Sequence, residues 1–366
     1  HKGVLPDRSG NSRNLTLPWA TTSAEFSSSA IVETGTAHTN QNYVKFNRSY
    51  LTAVGGWTPP AGVTNFKGLV VAGGGGGGAW VGGGGGAGGA IPIHQTTLSS
   101  GAVSVTVGQG GRGSRFTGSN YDFEVPIGTP SNGTNGQNSG LGSFTATGGG
   151  KGASWNSLST GSPASAGGSG GGGVAYSNAT MQAAGAGTSG QGNAGGAGNA
   201  SAYYANGGGG GAGGAGEAGV ASPKRSGNGG IGITSVLTGA PGLQLAGGGG
   251  GGGHEANDVA GTASFGGGAG AVRTTTQAGS GTPNTGGGGG GSGNPSGGVG
   301  YSSYGGDGGS GVVILSYGAT MVATAPEGAI AGRNFIRPLT VQLKNADGTN
   351  YSGADQQVTI TAASSS

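Results

Sequence analysis

Four stretches of this 366-residue sequence carry the residue types that chemistry uses. Leu69-Val-Val-Ala-Gly-Gly-Gly-Gly-Gly-Gly78 runs an apolar segment into glycines, as nucleotide-binding loops do when they approach a phosphate. Such a loop must open a helix and be followed by an acidic residue about 20 positions on. Here residues 80–90 are mostly glycine and the next acidic residue after the block is Asp122. His254-Glu-Ala-Asn-Asp258 imitates a zinc-binding H-E-x-x-H with Asp in the last place, but a helix must present those side chains and seven glycines precede them. The segment reads as a polar loop. Gly305-Gly-Asp-Gly-Gly has the flavour of a calcium-binding nonapeptide repeat, yet it occurs once with its Asp misplaced. Gly167-Gly-Ser-Gly-Gly171 fits G-x-S-x-G only because glycine is everywhere, and none of His1, His38, His94 or His254 has a triad context. With no cysteine, thiol catalysis and Cys-ligated zinc are also excluded. The expectation is a protein that is not an enzyme and needs no cofactor and no metal.

Recognition is the chemistry left. Aromatic and imidazole side chains stand between glycine stretches, with Asn, Ser and Gly beside them: Trp80, Trp155, Tyr176, Tyr203, Tyr204 and His254, with Tyr301 and Tyr304 further on. A stiff ring offers contact area at small entropic cost while the polar neighbours adapt. The first six are the candidate receptor-binding residues, and Tyr203-Tyr204 is the strongest pair. The competing reading has the same rings packed as small caps over the ends of whatever the glycines build.

The elements that would position those rings are unusual. Glycine accounts for 98 residues, several times its ordinary share of about 7%. It comes in blocks at 73–78, 82–86, 170–173, 207–211, 247–253 and 286–291, without a fixed period. The missing G-X-Y period and only 14 prolines exclude collagen. Charged residues make up 7% and the net charge is +3, too sparse for the basic face that nucleic acid requires. No apolar run reaches the ~20 residues that span a bilayer, so no membrane insertion is expected. An ordered glycine loses roughly 0.5–1 kcal/mol more than alanine on folding, and it has no side chain to bury in return. Its backbone must supply the compensation. In the extended threefold helix of polyproline II type every N–H and C=O points outward, so glycine rods can bond side by side where any Cβ would hold them apart. At about 3.1 Å per residue, block 247–253 would form a rod of about 22 Å.

Around the blocks, mixtures of β-branched and aromatic residues with Thr predict strands in the first 66 residues and at 65–72, 90–97, 102–107, 115–117 and 312–317. Trp57-Thr-Pro-Pro-Ala-Gly62 signals a turn, and no segment has helical periodicity. The predicted fold class is mainly β: a β-framework enclosing a bundle of polyglycine II helices, with essentially no α-helix.

The ordered series Trp57-Thr-Pro-Pro-Ala-Gly-Val63, Leu69-Val-Val-Ala-Gly73, Val103-Ser-Val-Thr-Val-Gly108 with Arg112-Gly-Ser-Arg-Phe116, and Gly305-Gly-Asp-Gly-Gly-Ser-Gly-Val-Val-Ile-Leu-Ser-Tyr317 resembles the glycine-rich domain of phage tail-fibre adhesins and bacterial surface proteins. That resemblance implies a polyglycine II bundle fused to a β-framework, with loops at the rod ends that bind a host-surface receptor. Three regions are expected: an N-terminal β region at 1–55, the glycine-rich domain at 56–317 and a β region at 318–366. In the last, Leu339-Thr-Val-Gln-Leu343, Asp347-Gly348 and Val358-Thr-Ile360 suggest a hairpin. It resembles the opening strands of a bacterial Ig-like module, to be completed by further chain or by a neighbouring subunit. A sequence that begins at His1 fits a processed or excised chain. The functional expectation is an extracellular adhesin of a fibre or cell surface, with a surface glycan or outer-surface receptor as partner. The alternative is a structural subunit of a filament, stalk or surface layer that self-associates through its terminal β regions.

Overall fold

The computed structural model describes residues 4–5, 15–16, 32–38, 41–47, 56–60, 63, 65–98, 101–117, 132–155, 162–176, 180–199, 205–254, 258–273, 277–294, 302–318, 320–324 and 340–344. None of them is helical, as the absence of 3.6-residue periodicity predicts. The strands are β1 (Val4–Leu5), β2 (Leu15–Thr16), β3 (Val32–His38), β4 (Gln41–Phe46), β5 (Phe66–Val71), β6 (Ala90–Thr96), β7 (Val105–Thr106), β8 (Arg115–Thr117) and β9 (Ser139–Leu141). They continue with β10 (Phe144–Ala146), β11 (Val174–Tyr176), β12 (Thr180–Gln182), β13 (Ile233–Ser235), β14 (Leu243–Leu245), β15 (Ser302–Tyr304), β16 (Val312–Gly318), β17 (Thr320–Thr324) and β18 (Thr340–Lys344).

One antiparallel sheet, in the order β3-β4-β16-β5-β6, organises the molecule. β16 lies at its centre and is buried on both faces, which its uninterrupted apolar run Val312-Val-Ile-Leu315 requires. On one face Phe46, Phe66, Val70, Ile93, Val313, Leu315 and Tyr317 meet Val103, Val105, Val107 and Leu141, which belong to or flank the small sheet β10-β9-β7. Trp57 closes that core with its ring edge-on to Phe46 and Phe66, both at 5.9 Å. On the other face Leu69, Val71, Val312 and Ile314 meet Ala87, Ala90, Leu245 and Ala246 at the base of the glycine blocks. β3 and β4, from the N-terminal region, complete the sheet whose other three strands come from the glycine-rich part.

β5, β6 and β16 each continue into a glycine rod: 73–78 after β5, 82–89 before β6 and 305–311 before β16. Bonding along 73–78 has a period of three. Gly73 and Gly76 donate to Gln137 and Thr134; Gly74 and Gly77 donate to Gly309 and Gly306; Gly75 and Gly78 donate to Gly86 and Gly83. The carbonyls accept in the same rhythm, from Gly149 and Gly152, from Gly111 and Ser114, and from Gly289 and Ser292. Residues i and i+3 thus address the same neighbour, as a helix of three residues per turn demands. The rod has six neighbours, three antiparallel and three parallel, in the hexagonal packing of polyglycine II. Within the six glycine blocks only Gly286 has a positive φ, so their hand is that of polyproline II.

Side chains are excluded by contact. A Cβ built on Gly75 would lie 2.2 Å from the carbonyl oxygen of Gly150, and one on Gly250 would lie 2.1 Å from that of Gly261. Some rod positions face outward and take alanine or a polar residue, such as Ala186, Ala197 and Thr262.

Only one strand of the expected C-terminal hairpin falls among the described residues. β18 pairs with β17 in the register Thr320↔Lys344 to Thr324↔Thr340, a pairing that the sequence pattern did not predict. Residues 347–348 and 358–360 lie outside the described residues.

Candidate functional site

At the end of the bundle opposite the sheet, rods terminate in side chains that satisfy their last backbone groups. The chain reverses between 73–78 and 82–89 through Trp80 and Val81, with φ of 50° and 57°. Non-glycine residues seldom hold that conformation, and it costs on the order of 1–3 kcal/mol. Serines brace it. Trp80 N–H is shared between Ser292 Oγ at 3.1 Å and Ser303 Oγ at 3.0 Å, and those hydroxyls lie 2.5 Å apart. Ala79 N–H donates to Ser154 Oγ at 3.1 Å, and Ser154 donates onward to Ser114 Oγ at 2.8 Å. Ser114, Ser154, Ser292 and Ser303 are all buried.

A second cluster stands at the ends of 205–211, 226–232 and 246–253. Asn206 Nδ2 donates to Gly252 O at 2.5 Å, Ser226 Oγ donates to the same carbonyl at 2.8 Å, and Asn206 Oδ1 accepts from Ala175 N at 3.4 Å. Asn206 is fully buried, so Asn206→Ala should strand polar groups at a cost of about 1–3 kcal/mol. Melting temperature reads this: a drop of several degrees is expected for Asn206→Ala, and an unchanged midpoint would remove the capping role.

The candidate receptor residues divide sharply. Trp80 is half-buried at the reversal just described, and Trp155, expected as a contact residue, is buried at 5% exposure. Its segment is tied down by the Ser154↔Ser162 bridge and by the Ser154 hydroxyl, so its ring serves the interior, as the end-cap alternative anticipates. Trp80 and Trp155 stand at the same end, joined through Ala79 and Ser154. Tyr176 ends β11, paired with Thr180. His254 is half-buried; its ring Nε2 is 2.9 Å from Asn294 Nδ2, and its N–H donates to Asp258 Oδ2 at 3.0 Å. The Asp258 carboxylate, which the spacing offers as a metal ligand, accepts this bond from the His254 backbone. Among the described residues no group of three His, Cys, Asp or Glu side chains is placed to hold a metal ion. Tyr203 and Tyr204 lie outside the described residues.

Charge is thin at this end. Glu217 Oε2 accepts from Arg225 Nη1 at 2.9 Å, and that hydrogen bond holds the Glu217 carboxyl below its ordinary range. A depressed carboxyl stabilises the fold above its unfolded pKa and loses that contribution as pH falls through the folded value; both groups are well exposed, so salt screens the pair and the effect is small. Lys151, bonded to Ser162 Oγ, is pushed below the usual lysine value by burial.

The serine and asparagine caps carry no signal in residue type. Their signal in the sequence is position: Ser114 and Ser292 directly follow glycine and Asn206 directly precedes a block. Compared with curated proteins, the chain matches none. The family model for the glycine-rich domain matches residues 51–318, which holds the Trp57 turn, all the rods and the central strand β16, and over that majority of its length the chain belongs to the glycine-rich domain family.

Proposed function

We propose that this chain is a non-enzymatic extracellular adhesin, a receptor-binding component of a fibre or cell surface such as a phage tail fibre or a bacterial surface protein. It attaches to a cell-surface glycan or outer-surface receptor through loops at the free ends of its rods. The observation that carries this reading is the threefold bonding of rod 73–78 to six neighbours. A bundle bonded in every direction cannot splay, so the rod ends from which the loops leave are fixed before a ligand arrives, which lowers the entropy cost of binding there. Tyr203→Ala with Tyr204→Ala is expected to lower attachment to target cells several-fold without moving the melting point. Equal attachment by the folded double variant would remove that pair from the site.

The β17–β18 hairpin favours a second reading, a structural subunit of a filament or surface layer. It pairs with no strand of the central sheet among the described residues, and a two-stranded hairpin alone is marginal in water. Further strands, from an Ig-like module or from a neighbouring subunit, would complete it.

A further inference from the structure

One side of the bundle carries a polar cleft of about 200 Å³ lined by Arg115, Gln277, Ser280, Tyr304, Gly305 and Asp307. Backbone pairing explains why these side chains meet. Tyr304 is the register partner of Arg115 across β15 and β8, and it forms a parallel bridge with Gln277 on its other side. Directly paired residues share a face. After Tyr304 the chain enters the rod at 305–311, and after Gln277 it enters the one at 278–282. Three residues make one turn of such a rod, so Asp307 stands one turn from Tyr304 and Ser280 one turn from Gln277, each about 9 Å along. The two rods lie side by side: Ala278 N donates to Tyr304 O at 3.0 Å and Gly281 N to Asp307 O at 2.7 Å. Asp307 is fixed, because one carboxylate oxygen accepts from Gly113 N at 2.7 Å and its own N–H donates to Ser280 Oγ at 3.2 Å.

We infer that this cleft binds one unit of a neutral glycan. Its lining offers guanidinium donors, a carboxylate with acceptor capacity beyond the Gly113 bond, an amide that both donates and accepts, and two hydroxyls. Neighbouring sugar hydroxyls, each a donor and an acceptor, match that set. Arg115 and Asp307 balance each other's charge, so an anionic ligand that pairs with the first must face the second. The half-buried ring of Tyr304 covers the apolar face of a sugar. The volume falls below the roughly 300–1,000 Å³ of pockets for drug-sized ligands and suits a single ring. The inference rests on the surface-attachment reading for the source of the glycan, and on the cleft alone for its chemistry.

The test is calorimetry and saturation-transfer NMR on the full chain with neutral hexoses and their oligosaccharides, with sialylated and sulfated sugars as a second arm. Asp307→Asn keeps an oxygen for Gly113 N–H while it removes the charge, and Gln277→Ala removes an exposed amide. Each should weaken neutral-sugar binding by about tenfold or more, the effect of losing one strong hydrogen bond, with melting points unchanged and with binding intact in the Tyr203→Ala, Tyr204→Ala variant. No neutral sugar bound by wild type, binding of acidic sugars alone, or binding that survives both cleft variants overturns the inference even if the protein attaches to cells. Sugar binding that depends on Asp307 and Gln277 in a protein that attaches to no cell surface upholds the cleft and overturns the adhesin reading.

Discussion

Gly250→Val is expected to lower the melting temperature of the glycine-rich domain by about 10 °C or more. A Cβ at this position would sit 2.1 Å from the carbonyl oxygen and 2.5 Å from the carbonyl carbon of Gly261, and 2.9 Å from Gly270 N. All three are backbone atoms of rods that are themselves bonded, so no side chain can swing aside to relieve the contact. Gly250 N also donates to Gly268 O at 3.0 Å, and Gly250 O accepts from Gly291 N at 2.9 Å. Pushing the rods apart weakens both bonds, at a net ~0.5–1.5 kcal/mol each, on top of about 1–3 kcal/mol for overpacking. The sum is a large fraction of a domain stability of ~5–15 kcal/mol, and each kcal/mol moves the midpoint of a domain this size by roughly 2–4 °C. Gly101→Ala is the matched control, since a Cβ there meets nothing within 4 Å; its midpoint should stay within about a degree or two, as for surface substitutions generally. Equal melting of Gly250→Val and wild type would mean that block 247–253 is a solvated linker.

Two truncations separate the role of β16 from that of the hairpin after it. A chain that ends after Ser310 lacks β16, the strand that pairs with both β4 and β5 and buries Val312, Val313, Ile314 and Leu315 completely. Each of those side chains contributes about 1.5–3 kcal/mol on burial, and the two halves of the sheet have no other strand between them. This truncated chain is expected to show no cooperative unfolding. A chain that ends after Gly318 keeps β16 and loses only the C-terminal region that holds β17 and β18; its melting curve should match that of the full chain in midpoint and cooperativity. Size-exclusion chromatography and electron microscopy of the second truncation address the structural-subunit reading, which expects self-association to be lost. Normal assembly without the tail would remove the tail from that role.

Much of the architecture is legible in residue order. The strands expected at 65–72, 90–97, 115–117 and 312–317 are β5, β6, β8 and β16, because β-branched and aromatic runs bounded by glycine have few other ways to satisfy their backbones. The rods are legible from the glycine blocks by a steric argument, and the structure places a backbone oxygen about 2 Å from the would-be Cβ of Gly75, Gly85 and Gly250. The rod-end aromatics are less legible. Nothing in the type or spacing of Trp155 distinguishes a ring that faces solvent from one buried behind Ser154, since a glycine-rich context carries no amphipathic period from which a face can be read.

Residue types alone therefore determined that the described residues would form no helix, that the glycine blocks would be built into bonded rods, and that strands would anchor them. Only the tertiary structure decided which rod lies beside which. A glycine rod presents the same donors and acceptors to every neighbour, so its sequence holds no code for its partners. That code resides in β5, β6 and β16, whose order in the sheet sets the order of the first three rods, and in the serine and asparagine caps at the far end. The same indifference hides the cleft: Arg115, Gln277 and Tyr304 are far apart in sequence, and Ser280 and Asp307 join them only because three residues complete a turn on two rods that the fold happens to set side by side.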